Sequence, residues 1–499
     1  MPLPRNQDRW REPTQVWVLE MIRSRDLISR EVAGRRGRGL AHLCRAVLAM
    51  VSLAIGLSGC AAGATPAARP AAAPTATPVA SLHAASMAAP TSAAVPTLAP
   101  AKIVLWHAWY GERFEQLLQD VAARFHQRYP AITLEPVCPG NEADLTRKTM
   151  AAIQAGNPPD LVVASARDIA EFMEAGAVVP LDPYVDDPEI GLRQGDRADI
   201  FPGWWESAFY PEFEGKMLSL PFTKSALAMY YNLALLKKAG IDQVPKTWAD
   251  LEAACRAAST GEDKGLAWHQ SALTFDGFLY SRGARQLSAD QSKAVFNGPE
   301  GVEALDLLVR LSQAGAAVES DGSSGDRSLF AQGKVALTFG PTSDASAYAT
   351  AIEEAGTSLE WGATNIPQAD PNKPRTVMNG ANICILQTTE ARQRAAWQFL
   401  KWFTAAEQAA DWAAASGSMP GRRSAVSRLA GDGYLDENPA IKEIYETVIP
   451  YAHPEPNVRG EQEIGAIIEQ AWAAALARTL TPQQALDEAV IRANEVLAK

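Results

Sequence analysis

Cysteine is scarce, five in 499 residues, and beyond Cys60 only Cys138, Cys255 and Cys384 remain, each more than a hundred residues from the next. That spacing excludes a dense disulfide framework and any paired-cysteine metal motif. Isolated buried thiols are expected, with a single disulfide left open. The six histidines are scattered as well, so neither a metal site nor a cofactor is expected. No apolar run is long enough to span a bilayer; the longest, residues 46–58, has 13 residues. A basic stripe is missing too: from residue 101 onward there are 35 Lys and Arg against 52 Asp and Glu, a net charge of −17. This excludes recognition of nucleic acid through its phosphates, which needs clustered cations. There is no P-loop, dinucleotide fingerprint or G-x-S-x-G elbow. A glycoside hydrolase would need two carboxylates placed across a sugar bond, and no motif among the acidic residues singles out such a pair.

The apolar run is preceded by Arg35, Arg36, Arg38 and Arg45 and followed by small residues ending in LSGC at Leu57–Cys60. A positive region, a short apolar region and a small-residue processing site make residues 1–60 an export signal. The LSGC resembles the bacterial lipoprotein box, which implies lipidation at Cys60 and a place on the outer face of the cytoplasmic membrane. Residues 61–100 contain 17 Ala, 7 Pro, 5 Thr and 3 Ser with one charge. A segment with so little to bury is expected to be a disordered tether.

At Lys102 the pattern changes. IVLWHAW (Ile103–Trp109) is a continuous apolar run, as in a parallel strand covered on both faces. A helical stripe follows over residues 112–128, then a strand at Ile132–Pro136, a helix over Leu145–Ala155 and a strand at Leu161–Ala164. Alternation of this kind predicts a doubly wound α/β sheet. Thr247 and Asp250 form a capping box, and Thr481 with Pro482 opens the last helix. KVALTF (Lys334–Phe339), WGATNIP (Trp361–Pro367) and ANICIL (Ala381–Leu386) read as further strands.

Eight segments carry a resemblance: IVLWHAW, GNPPDLVV (Gly156–Val163), LPFTKSALAMYYN (Leu220–Asn232), PKTWADL, the FAQGKVALT stretch from Phe330, AAWQFLKWF (Ala395–Phe403), SGSMPGRRSAV (Ser416–Val426) and TPQQALDEA (Thr481–Ala489). In this order they resemble the extracellular solute-binding proteins of ABC importers, the family that includes maltodextrin- and glycerol-phosphate-binding proteins. The resemblance implies a two-lobed periplasmic-binding-protein fold of type 2, with two doubly wound α/β lobes joined by three hinge crossings. The crossings are expected near Lys224–Ala228, near Trp361–Ile366 and around residues 404–420. The first lobe would then be residues 101–224 and 366–405, and the second 228–361 and 420–499. It further implies no enzymatic step, a monomer, and as partners a small solute, the permease subunits of an importer and the membrane through the lipid anchor.

In open parallel sheets ligands sit beyond the carboxyl ends of the strands, which nominates Trp109, Tyr110, Ser165, Arg167 and Asp168. Trp268 and Thr342 follow predicted strands in the second lobe, Ser225 stands at the hinge, and Gly380 could admit backbone close to a solute. By resemblance Glu142 is a polar ligand contact, and Ser418 stands where the glycerol-phosphate branch has Tyr. Arg459 lies near that branch's anion-binding Arg. Ser271 replaces a second Trp usual in that branch. Aromatic faces with a few hydrogen-bonding groups suit a neutral sugar or oligosaccharide. The alternatives are a glycerol-phosphate or glycerophosphodiester ligand, or an exported lipoprotein glycoside hydrolase.

Overall fold

A computed structural model describes residues 99–109 and 111–499. The export signal with Cys60, nearly all of the tether, and Tyr110 lie outside the described residues.

Two sheets organise the chain. The first has the strand order Ile132–Val137, Ala101–Trp106, Leu161–Ala164, Asn382–Ile385, Leu220–Pro221. Its first three strands are parallel, joined by the helices Glu112–Arg128 and Glu142–Gln154. Asn382–Ile385 runs antiparallel to both its neighbours, so the sheet is mixed rather than wholly parallel. In the second sheet the long strand Ser225–Asn232 lies antiparallel to Val335–Pro341 on one side and to Thr376–Asn379 and Trp361–Asn365 on the other. Lys264–Trp268 and Ala317–Glu319 extend one edge and Ala452–Pro454 the other. We call the halves built on these sheets the first and second lobes.

The expected boundaries need one correction. The resemblance puts residues 366–405 in the first lobe, with a crossing near Trp361–Ile366. Thr376–Asn379 instead pairs with Ser225–Asn232 and with Ala452–Pro454, so the chain stays in the second sheet until Gly380. The three connections meet at Lys224, whose ammonium donates to the Gly380 carbonyl at 2.8 Å while its own carbonyl accepts from the Met419 N–H.

Each lobe has its own core. In the first, Ile103, Leu105, Phe125, Ile383 and Trp397 are fully buried, and in the second Leu266, Phe278, Leu305, Leu337 and Trp472. The GNPPDLVV stretch has a physical reason to look as it does. The Asp160 carboxylate, completely buried, accepts from the Val104 N–H at 2.8 Å, the Thr388 hydroxyl at 3.1 Å and the Arg392 guanidinium at 2.6 Å. It thereby ties two strands to the helix Glu390–Phe403. Cys138, Cys255 and Cys384 are free thiols, the last two buried. No helix among the described residues is long and apolar enough to cross a membrane.

Candidate functional site

A cavity of about 260 Å³ opens at the carboxyl ends of the first-sheet strands, where the two lobes face each other. Its first wall is local consequence of strand endings. Trp109 follows Ala101–Trp106, and Ser165 follows Leu161–Ala164 as N-cap of the helix Ala166–Glu174, accepting from the Asp168 N–H. The Ser165 hydroxyl also donates to the Asp168 carboxylate at 2.6 Å, and Arg167 pairs with that carboxylate at 3.0 Å. Glu142, the first residue of the helix capped by Asn141, stands exposed at the mouth. Lys224, Asn379 and Gly380 form the floor, and Glu455, Asn457 and Glu461 the second-lobe wall.

Trp109 serves two surfaces at once. One part of the ring lines the cavity, while the rest packs on Phe222 at 5.2 Å and on Trp412 at 5.8 Å between centroids. Phe222 in turn stacks on Phe403 at 4.4 Å, so the ring is held by the first core rather than by the solvent. His107 lies beneath it, stacked at 5.9 Å, and burial lowers its imidazole to about 4, leaving it neutral at physiological pH. At the floor, burial pulls the Lys224 ammonium down to about 7, against the attraction of Glu455. Burial raises the carboxyls of Glu455 and Glu461 above their ordinary range, and the charge of Glu461 adds to the effect on Glu455. Among the described residues no three or more His, Cys, Asp or Glu side chains are grouped so that they could hold a metal ion.

The structure brings together Trp109, Glu142, Ser165, Arg167, Asp168 and Gly380. Tyr110 lies outside the described residues, and the structure places the remaining nominated residues elsewhere. Trp268 is 1% exposed and stacks on Trp472 at 5.0 Å, because its strand is covered on both faces, so the ring belongs to the second core. Ser225 and Thr342 bond to each other at 3.1 Å, and Thr342 also accepts from the Ala226 N–H, which makes them a lock between neighbouring strands. Ser418 is buried against the Ser416 hydroxyl at 2.7 Å. Arg459 lies outside the cavity, paired with Glu174 at 2.8 Å and with Glu212. Sequence reasoning passed over Lys224, Asn379, Glu455, Asn457 and Glu461. The one available signal was a lysine inside the apolar stretch LPFTKSALAMYYN, since a buried lysine is rare without a task.

The model of a bacterial extracellular solute-binding protein matches residues 120–443. The chain belongs to that family. Its members are receptors of the kind that serve ABC importers, binding proteins rather than enzymes. Among curated relatives, the sn-glycerol-3-phosphate-binding periplasmic protein UgpB of Salmonella typhimurium is 27% identical over 422 residues, 81% of this chain and 94% of the relative. Among solved structures, the cyclic alpha-maltosyl-1,6-maltose binding protein of Arthrobacter globiformis superposes with a TM-score of 0.70 at 22% identity, covering 80% of this chain and 99% of that one. UgpB of Mycobacterium tuberculosis in complex with glycerophosphocholine gives a TM-score of 0.64 at 19% identity, covering 80% and 98%. The fold is thus the two-lobed α/β fold of periplasmic binding proteins.

Proposed function

We propose that this protein is a membrane-tethered, extracytoplasmic receptor of an ABC importer that captures a carbohydrate by closing its two lobes, and that it releases the solute chemically unchanged. The observation that carries the ligand class is the make-up of the cavity. It offers the Trp109 ring beside Ser165, Asn379, Asn457 and several carboxyl groups. Its two cations are already engaged, Arg167 by Asp168 and Gln462, and Lys224 by the Gly380 carbonyl. A phosphate would meet four carboxyl groups, Glu142, Asp168, Glu455 and Glu461, with no free guanidinium to receive it. Sugar C–H faces pack on an indole, and hydroxyls satisfy carboxylates and amides. The names of the curated relatives favour the second reading, a glycerol-phosphate compound.

Titration calorimetry against neutral mono- and oligosaccharides, glycerol 3-phosphate and glycerophosphocholine separates the two. Sugars are expected to bind, and Trp109→Ala is expected to weaken them by about 1–3 kcal/mol. Because the far side of the ring packs on Phe222, Trp109→Phe is the control and should fall between. Binding confined to the phosphate compounds refutes the carbohydrate reading, and a cleaved sugar refutes the receptor reading.

The anchoring part of the proposal is supported by LSGC and by the Ala/Pro-rich segment behind it. Cys60→Ser is expected to release the protein from the membrane fraction and abolish incorporation of labelled fatty acid, with the solute affinity retained. Persistent labelling refutes the assignment of Cys60.

A further inference from the structure

The stretch from Glu455 to Gln462, which links strand Ala452–Pro454 to helix Glu461–Leu476, does two things. Glu455 and Glu461 face the cavity. The residues between and beside them grip the first lobe. The Asn457 amide donates to the Ser207 carbonyl at 3.0 Å and the Phe209 carbonyl at 2.8 Å. Arg459 pairs with Glu174 at 2.8 Å and with Glu212. Gln462 accepts from Arg167. Glu174 ends the same helix, Ala166–Glu174, whose beginning supplies Arg167 and Asp168 to the cavity, so the grip and the cavity share one rigid element on the first lobe.

We propose that Asn457 and Arg459 form a clasp: positioning residues that favour the closed arrangement and press the Glu455 and Glu461 wall against the first lobe, Asn457 through its bonds to backbone at the cavity wall and Arg459 from outside the cavity. The proposal rests on lobe closure, and it does not depend on the solute being a sugar. A bond made only in the closed arrangement shifts the open–closed balance whatever the solute, and the solute affinity rises with the fraction of closed protein. The two halves of the clasp differ in kind. Asn457 is buried, 5% exposed, and bonds to backbone. The Arg459 side chain is 36% exposed, and its carboxylate partners are 60% and 25% exposed. Only the second half is screened by salt, because exposed pairs weaken as the Debye length contracts.

The test needs no solute. Small-angle scattering of the solute-free protein in 50 mM and 1 M sodium chloride should show a larger radius of gyration at high salt. Arg459→Ala is expected to show the larger radius at both concentrations, with the closed-to-open ratio lowered about three- to tenfold. Arg459→Lys, which keeps the charge but loses the fork, should recover part of the difference. Glu174→Gln with Glu212→Gln removes the same charges from the other lobe and should reproduce Arg459→Ala, which guards against a folding defect peculiar to one variant. Asn457→Ala should open the protein while leaving the salt response intact. A radius that is identical for the wild type and Arg459→Ala at both salt concentrations overturns the clasp. Failure to bind any sugar leaves this result untouched, so the two proposals fall separately.

Discussion

Asp160→Ala is expected to cost about 3–5 kcal/mol of stability, enough to leave the first lobe unfolded at physiological temperature or close to it. The carboxylate is completely buried and satisfies the Val104 N–H, the Thr388 hydroxyl and the Arg392 guanidinium. Its removal strands a backbone donor and a half-buried charge with nothing to replace them. Asp160→Asn, which keeps the volume but loses the charge, should cost less, since the amide oxygen can still accept one of these bonds. Urea titration followed by far-ultraviolet circular dichroism measures both. A loss below about 1 kcal/mol for Asp160→Ala would mean that the helix Glu390–Phe403 is held by apolar packing alone.

Gly380→Ala should be the most damaging substitution to binding among residues whose side chain contributes nothing to it. The residue has φ of 115°, a region that alanine avoids, and an added Cβ would lie 2.3 Å from the Thr223 carbonyl oxygen. Backbone cannot yield there cheaply, because Gly380 also receives the Lys224 ammonium at the meeting point of the three connections. The combined strain is expected to be about 3 kcal/mol or more. Part should appear as a lower melting temperature and part as at least a tenfold loss of solute affinity, measured by calorimetry. An alanine variant with normal affinity would show that the floor of the cavity can be rebuilt without consequence.

Much of the architecture was legible because it obeys local rules. The strand Leu161–Ala164 and the helix Glu112–Arg128 stand where continuous and periodic apolar patterns placed them. The capping box at Thr247 is present with its reciprocal bond, and Thr481 with Pro482 opens the last helix, where the structure adds a second box through Gln484. The site was legible only where it follows strand ends on the first lobe, as at Trp109 and Ser165. Trp268 shows why the rule failed on the other side. Its position at a strand end was read correctly, but an end covered by Trp472 points into packing. Glu455, Asn457 and Glu461 come from a stretch whose role is set by approach of the opposite lobe, and no local pattern encodes that approach. Thr376–Asn379 and Asn382–Ile385, separated by two residues, belong to different sheets. Only Ala381–Leu386 read as a strand, and Thr376–Asn379, two apolar residues between Thr and Asn, carries no pattern of its own, so the switch between sheets is invisible until pairing is known.

That switch also governs when the protein can fold. Asn382–Ile385 fills the slot between Leu161–Ala164 and Leu220–Pro221, so during synthesis the first sheet waits, with an open edge, for a strand that arrives more than two hundred residues after Leu161. Contacts so distant along the chain make folding slow, and an uncovered apolar edge invites pairing with other chains in the meantime. Nascent molecules should therefore be most prone to aggregate in the interval before residues 382–385 emerge, and chains truncated just upstream of them would remain in that state permanently.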